Sequence, residues 1–131
     1  MTIFVDASAI IAMIAGEPEG NGFALAIRAD GDAIWSAVAC WEAVRGLHKA
    51  KDISFDAARR EVEALAVAMP FRLVDIGDEE RDMALVAYER YGKGRHDAKL
   101  NMGDCFAYAC ARTNGAKLLY KGDDFSKTDL A

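Results

Sequence analysis

The feature that most constrains this chain is an alternation. Short apolar runs rich in β-branched and aromatic residues take turns with longer segments of helical period. Thr2–Val5 is the first such run, and Ala33–Ser36, Phe71–Ile76 and Lys117–Tyr120 follow as predicted strands. Between them the spacing predicts helices over Ser8–Ala15, Glu19–Ala29, Ala37–Lys49, Phe55–Ala68 and Glu79–Tyr91, and a last one from an Asn101 cap to about Asn114. Val38, Trp41, Val44 and Leu47 carry the period in the third helix. The punctuation agrees. Gly16 and Pro18 stop the first helix, Ser54 and Asp78 are placed to cap the fourth and fifth, and Gly115 closes the sixth. Strands alternating with helices mean an α/β domain with a mainly parallel central sheet. A length of 131 residues suits one domain, 1–131, with a core able to fold unaided. In such sheets, sites form outside the carboxyl ends of the strands.

Several function classes are disfavoured. No apolar run approaches the roughly 20 residues that span a bilayer, and no basic segment precedes an apolar one at the N-terminus, so the expected location is the cytoplasm, with no membrane partner. Cys40, Cys105 and Cys110 are odd in number, lie among apolar neighbours and form no Cys-x-x-Cys pair, so they read as buried thiols. With only His48 and His96 as imidazoles, a His-rich zinc site is disfavoured, and any metal would be held by oxygen. The first strand–helix turn lacks a Gly-x-Gly-x-x-Gly, and "GKGR" at Gly92–Arg95 lacks P-loop spacing and reads as a turn. A net charge of −5 argues against nucleic acid until its distribution is considered. Arg45, His48, Lys49 and Lys51 cluster, as do Arg90, Lys93, Arg95 and Lys99. Each cluster reads either as a solvated helix end favoured by the dipole or as a set of phosphate contacts.

Carboxylates stand where the strands end. Asp6 follows the first strand directly, and Asp123 and Asp124 follow the last in "LLYKGDDF". Glu42 sits on the helix after the second strand among almost wholly apolar neighbours, and Asp104 lies in the first turn of an apolar helix, in "LNMGDCFAYACA". Each has a plain alternative. Asp6 or Ser8 can cap a helix, Asp104 can complete a capping box with Asn101, and the Asp123–Asp124 pair can shape a turn. Together they would crowd like charge into one pocket, which forces protonation unless a cation relieves it. Mg²⁺ or Mn²⁺ prefers such oxygen ligands with retained waters, and Ser8 can support a carboxylate or a bound water.

The four blocks "VDASAIIA", the helix of Glu42, "LNMGDCFAYACA" and "LLYKGDDFSKTDL" resemble PIN-domain ribonucleases, specifically VapC-type toxins of bacterial toxin–antitoxin pairs. The resemblance spans nearly the whole chain. It implies a three-layer α/β/α fold, a Mg²⁺- or Mn²⁺-dependent endoribonuclease acting on RNA, a VapB-like antitoxin and a homodimer. By motif, Asp6, Glu42 and Asp104 match three family acids, and either Asp123 or Asp124 matches the fourth. Ser8 and Asn101 match supporting positions. Arg45, Lys49, Lys93, Arg95 and Lys99 are the candidate phosphate contacts. A metal-dependent phosphatase of haloacid-dehalogenase type, with Asp6 as nucleophile, is a second reading, although its pattern wants an aspartate where Ser8 stands. A non-catalytic partner-binding module is a third.

Overall fold

A computed structural model describes residues 1–130. The elements run β1 (Thr2–Val5), α1 (Ala7–Ala15), α2 (Gly20–Asp30), β2 (Asp32–Trp35), α3 (Ala37–Lys51), α4 (Phe55–Ala68), β3 (Arg72–Leu73), α5 (Asp78–Tyr91), α6 (Met102–Thr113) and β4 (Lys117–Leu119). The four strands form one sheet in the order β3-β2-β1-β4, with every pairing parallel. β1 has a strand on either side and is apolar without alternation because both its faces are covered. Ile3, Phe4 and Val5 are buried, as are Ala33 and Ile34 of β2.

The order of the strands determines where a site can form. From β1 the chain steps to β2 and then β3 in one direction, and from β3 it returns past β1 to β4. Right-handed crossovers therefore place α1–α4 on one face and α5–α6 on the other, giving three α/β/α layers. The contacts agree, with α1 and α4 against α3, and α5 against α6. The direction of winding changes between β1 and β4, which opens a crevice beyond the ends of those two strands.

Local signals place most elements as the sequence predicts. Ser36, Ser54 and Asn101 each accept a hydrogen bond from the third backbone N–H beyond them and cap α3, α4 and α6. Two predictions are corrected. The strand expected over Phe71–Ile76 is paired only at Arg72–Leu73, an exposed edge segment with a single neighbour, so little holds it extended. Asp78 is the first residue of α5 and not its cap. Gly77 takes that place because its N–H donates to the Glu80 carboxylate at 2.8 Å.

Candidate metal centre

Asp6 leaves β1 at the crevice and begins α1. Its Oδ2 accepts from the backbone N–H of Ser8 at 3.0 Å and from the Ser8 hydroxyl at 2.6 Å. The Ser8 oxygen in turn accepts from the backbone N–H of Lys121 at 2.9 Å, tying α1 to the segment after β4. Both side-chain bonds land on Oδ2, so Oδ1 is left for another partner. Across the crevice, Asp104 stands in the first turn of α6. Its Oδ2 accepts from Asn101 N–H at 3.1 Å, while Asn101 Oδ1 accepts from Asp104 N–H at 2.9 Å. The plain readings are thus physically real, since Asp6 caps a helix and Asp104 completes a capping box.

Capping does not account for their electrostatics. Hydrogen bonds from N–H groups stabilise an anion and should lower a carboxyl pKa. Burial instead raises Asp6, against the pull of Ser8 and with a further push from the charge of Asp124. Burial also pushes Asp104 up to about 8, with the charges of Asp124 and Asp6 adding to it and the Asn101 N–H opposing. Glu42, on α3, is pushed up to about 7 by burial and then by Asp6, with Arg45 opposing. Asp6, Glu42, Asp104 and Asp124 therefore act on one another at one cleft. Asp123 is not among the groups acting on them. It is exposed, and its main-chain carbonyl accepts from Ser126 N–H and Oγ–H in a turn.

Gly103, which sequence reasoning did not single out, completes the site. A Cβ there would fall inside the Glu42 carboxylate, so Glu42 lies directly over the α6 backbone beside Asp104. The available signal was a glycine inside an otherwise good helix, which costs stability and asks for a reason.

Among the described residues no three His, Cys, Asp or Glu side chains form a ready-made metal cage. The donor set nonetheless fits a hard divalent cation. It is all oxygen, it includes a buried carboxylate with a free Oδ1, and its crowded charges are uncompensated. Mg²⁺ in particular is commonly held by one or two carboxylates and retained waters. Softer ligands are elsewhere. His48 Nδ1 pairs with the Ile53 carbonyl beyond α3, His96 lies in the α5–α6 loop, and burial raises the thiols of Cys40, Cys105 and Cys110.

The structure separates the predicted phosphate contacts. Arg45 acts on Glu42 and lies 5.8 Å from the centre of the Trp41 ring, with Lys49 exposed further along α3. Lys93, Arg95 and Lys99 instead line a different cleft in the α5–α6 loop. The largest cleft, about 610 Å³, is a third place, walled by apolar Trp35, Trp41, Phe55 and Leu73. The acids sit apart from it, in the open crevice at the strand ends. Among the described residues no helix is long and apolar enough to cross a membrane.

Comparison with known proteins points the same way as the geometry. Residues 3–130 match the model of the PIN domain. The ribonuclease VapC30 of Mycobacterium tuberculosis is 36% identical over 127 residues, covering 97% of this chain and 95% of that protein. A VapC ribonuclease of Rhizobium meliloti is 38% identical over 139 residues, covering 97% and 98%. Among solved structures, the crystal structure of M. tuberculosis VapC20, described as a toxin cleaving the sarcin-ricin loop, superposes with a TM-score of 0.70 at 19% identity. That match covers 95% of this chain and 92% of the other, and it speaks to the fold alone.

Proposed function

The chain belongs to the PIN-domain family and to its VapC ribonucleases, and on that premise we propose that it is the toxin of a toxin–antitoxin pair, a Mg²⁺- or Mn²⁺-dependent endoribonuclease restrained by a VapB-like antitoxin. The observation that carries the reading is the convergence of Asp6, Glu42, Asp104 and Asp124 at the strand ends, where burial and mutual repulsion hold the first three above the ordinary carboxylate range. Stability is sacrificed there in the way functional sites often show.

Asp6, through Oδ1, and Asp104 are the first-choice ligands, with Glu42 and Asp124 completing the shell or orienting water. A bound Mg²⁺ or Mn²⁺ supplies an acidified water and neutralises charge on the phosphoryl oxygen. The chain's own contribution is positioning. Ser8 fixes the Asp6 rotamer through two hydrogen bonds, Asn101 fixes Asp104, and Gly103 lets Glu42 approach the α6 backbone. Asp104 and Glu42, protonated in part near neutrality, lose those protons when a cation enters. Arg45 and Lys49 would meet the RNA backbone along α3. Until a cation is bound the cleft repels phosphate, which reconciles a net charge of −5 with an RNA substrate.

The partners follow from the same reading. Large apolar side chains left exposed, among them Trp41, Leu73, Leu85 and Met102, are the surface a protein partner covers. An antitoxin in the cytoplasm and a second copy of the chain are the proposed occupants. Incubation of the purified protein with RNA tests the reading. Cleavage should appear with Mn²⁺ or Mg²⁺, stop with a chelator, return on adding Mn²⁺, and not be restored by Zn²⁺. Full activity in chelator, with an Asp6→Asn preparation inactive in parallel, would exclude a metal-dependent mechanism.

A further inference from the structure

The segment between α5 and α6 is a built loop. Gly92 and Leu100 pair as a parallel bridge at its neck, with Lys93 N–H donating to the Leu100 carbonyl at 3.0 Å and Leu100 N–H to the Tyr91 carbonyl at 2.9 Å. Inside it, the N–H groups of Arg95 and His96 both reach the Gly92 carbonyl, and Lys99 N–H reaches the His96 carbonyl. Ala98 and Leu100 are buried and anchor the loop to the core. His96 packs edge-on to Tyr91 with ring centres 5.1 Å apart, and its Nδ1 accepts from Ala98 N–H at 3.0 Å. That bond leaves Nε2 as the protonated nitrogen, a donor.

The loop encloses a cleft of about 500 Å³ lined by Lys93, Gly94, Arg95, His96, Asp97 and Lys99. Three cations and one imidazole donor face a single carboxylate, Asp97. Elsewhere on the surface half of the sixteen Lys and Arg side chains are in ion pairs, but among the described residues Lys93, Arg95 and Lys99 have no carboxylate within salt-bridge distance. Lys99 also has φ 56°, in the left-handed region that suits glycine. A lysine is kept where glycine would relieve strain, which asks what its charge does. The Arg95 guanidinium lies 5.7 Å from the centre of the exposed Tyr88 ring, placing an aromatic face beside the cations. Cations interleaved with an aromatic suit single-stranded nucleic acid.

The loop ends at Asn101, the cap of α6, with Asp104 in the first turn beyond. It therefore lies at the same end of the α5–α6 hairpin as the acids, yet its cations are not among the groups acting on them. We propose that the Gly92–Leu100 loop is a preassembled cradle for a backbone phosphate of single-stranded RNA, flanking the phosphate that is cleaved. This rests on the ribonuclease reading. The cradle holds the strand from outside the cleft, so it governs binding, whereas the carboxylates govern chemistry.

The test uses a fluorescein-labelled 20-nucleotide oligouridylate. Its binding is followed by anisotropy in chelator across a salt series, and its cleavage in Mn²⁺. The triple variant Lys93→Gln, Arg95→Gln, Lys99→Gln should bind at least tenfold more weakly. Its log K against log[salt] slope should be shallower by about 2, since each lost single-strand phosphate contact removes about 0.7. In cleavage it should raise KM and leave kcat nearly unchanged. A triple of equal charge change elsewhere, Arg28→Gln, Arg60→Gln, Lys127→Gln, should shift binding far less. Lys99→Gly alone should melt higher than the wild type yet bind RNA more weakly, a combination that a purely structural role does not give. Equal losses in both triples, or no loss in the first, would overturn the cradle while RNA cleavage by the wild type leaves the ribonuclease reading intact. Loss of polyglutamate binding with RNA binding unchanged would also overturn it, in favour of an acidic peptide. A wild type that neither binds nor cleaves RNA would remove the ribonuclease reading and the cradle with it.

Discussion

Glu42 and Gly103 occupy one space: the Glu42 carboxylate lies where a Cβ on Gly103 would stand. The obstacle is the far end of a flexible side chain, so Gly103→Ala should expel Glu42 from its place and leave the backbone intact. Alanine also suits a helix better than glycine, by about 0.5–1 kcal/mol. The variant should be as stable as the wild type or slightly more so, yet lose RNA cleavage to the extent that Glu42→Gln does. Urea unfolding beside an RNA assay checks this. A Gly103→Ala protein with full activity would show that Glu42 is not needed where it stands.

Ser8 links Asp6 to the Lys121 backbone. Ser8→Ala removes three hydrogen bonds' worth of organisation at one hydroxyl and the residue's own capping geometry is kept only by its N–H. Stability should fall by about 1–2 kcal/mol, and cleavage should fall with it as Asp6 and the Asp124 segment lose their common tie. Retained activity at full stability would dismiss the Ser8 bridge.

Asp123 and Asp124 should separate cleanly. Asp124 acts on Asp6 and Asp104, whereas Asp123 contributes its main-chain carbonyl to a turn. Asp124→Asn should abolish cleavage, and Asp123→Asn should leave it within a few-fold of the wild type. The opposite order in the RNA assay would reverse the assignment of the fourth acid.

The pH dependence of the metal-free protein has a definite sign. Free carboxyls titrate near about 4, whereas Glu42 is held at about 7 and Asp104 at about 8. Between those values the folded chain binds more protons than the unfolded one, so stability falls as pH rises. The contribution is complete below about pH 4 and is lost on passing through 7 to 8. In excess Mg²⁺ the trend between pH 5 and 8 should flatten or reverse, because a cation needs the deprotonated acids and displaces their protons. Thermal melts at intervals across that window check both limbs.

The scaffold was legible because its signals are local. Thr2–Val5 and Phe55–Ala68 fall where the pattern puts them, and Asn101 caps α6 as its position suggests. β3 was overextended because Phe71–Ile76 has strand composition, while pairing is decided by a neighbour the sequence does not display. Asp78 was misplaced by one residue because a side-chain reach from Glu80 makes the preceding glycine the cap. At the site, four acids at strand ends could be named, since winding brings strand ends together. Choosing Asp124 over Asp123 needed the turn geometry, and Gly103 needed the α3–α6 approach. The clustered cations could be named too, but not that Lys93, Arg95 and Lys99 share a closed loop away from Arg45 and Lys49.

The central claim is that Asp6 and Asp104 crowd a cation site and are more than helix caps. Thermal melting of the wild type, Asp6→Asn and Asp104→Asn, each with and without Mn²⁺, tests it most directly, with RNA cleavage measured alongside. The account predicts that the wild type melts higher with Mn²⁺, since a ligand of the folded state stabilises it by mass action. Both variants should be as stable as the metal-free wild type or more so, gain little from Mn²⁺, and cleave no RNA. Variants that are less stable by up to ~1 kcal/mol, as loss of a favourable helix-dipole charge would make them, and that keep full cleavage would contradict it.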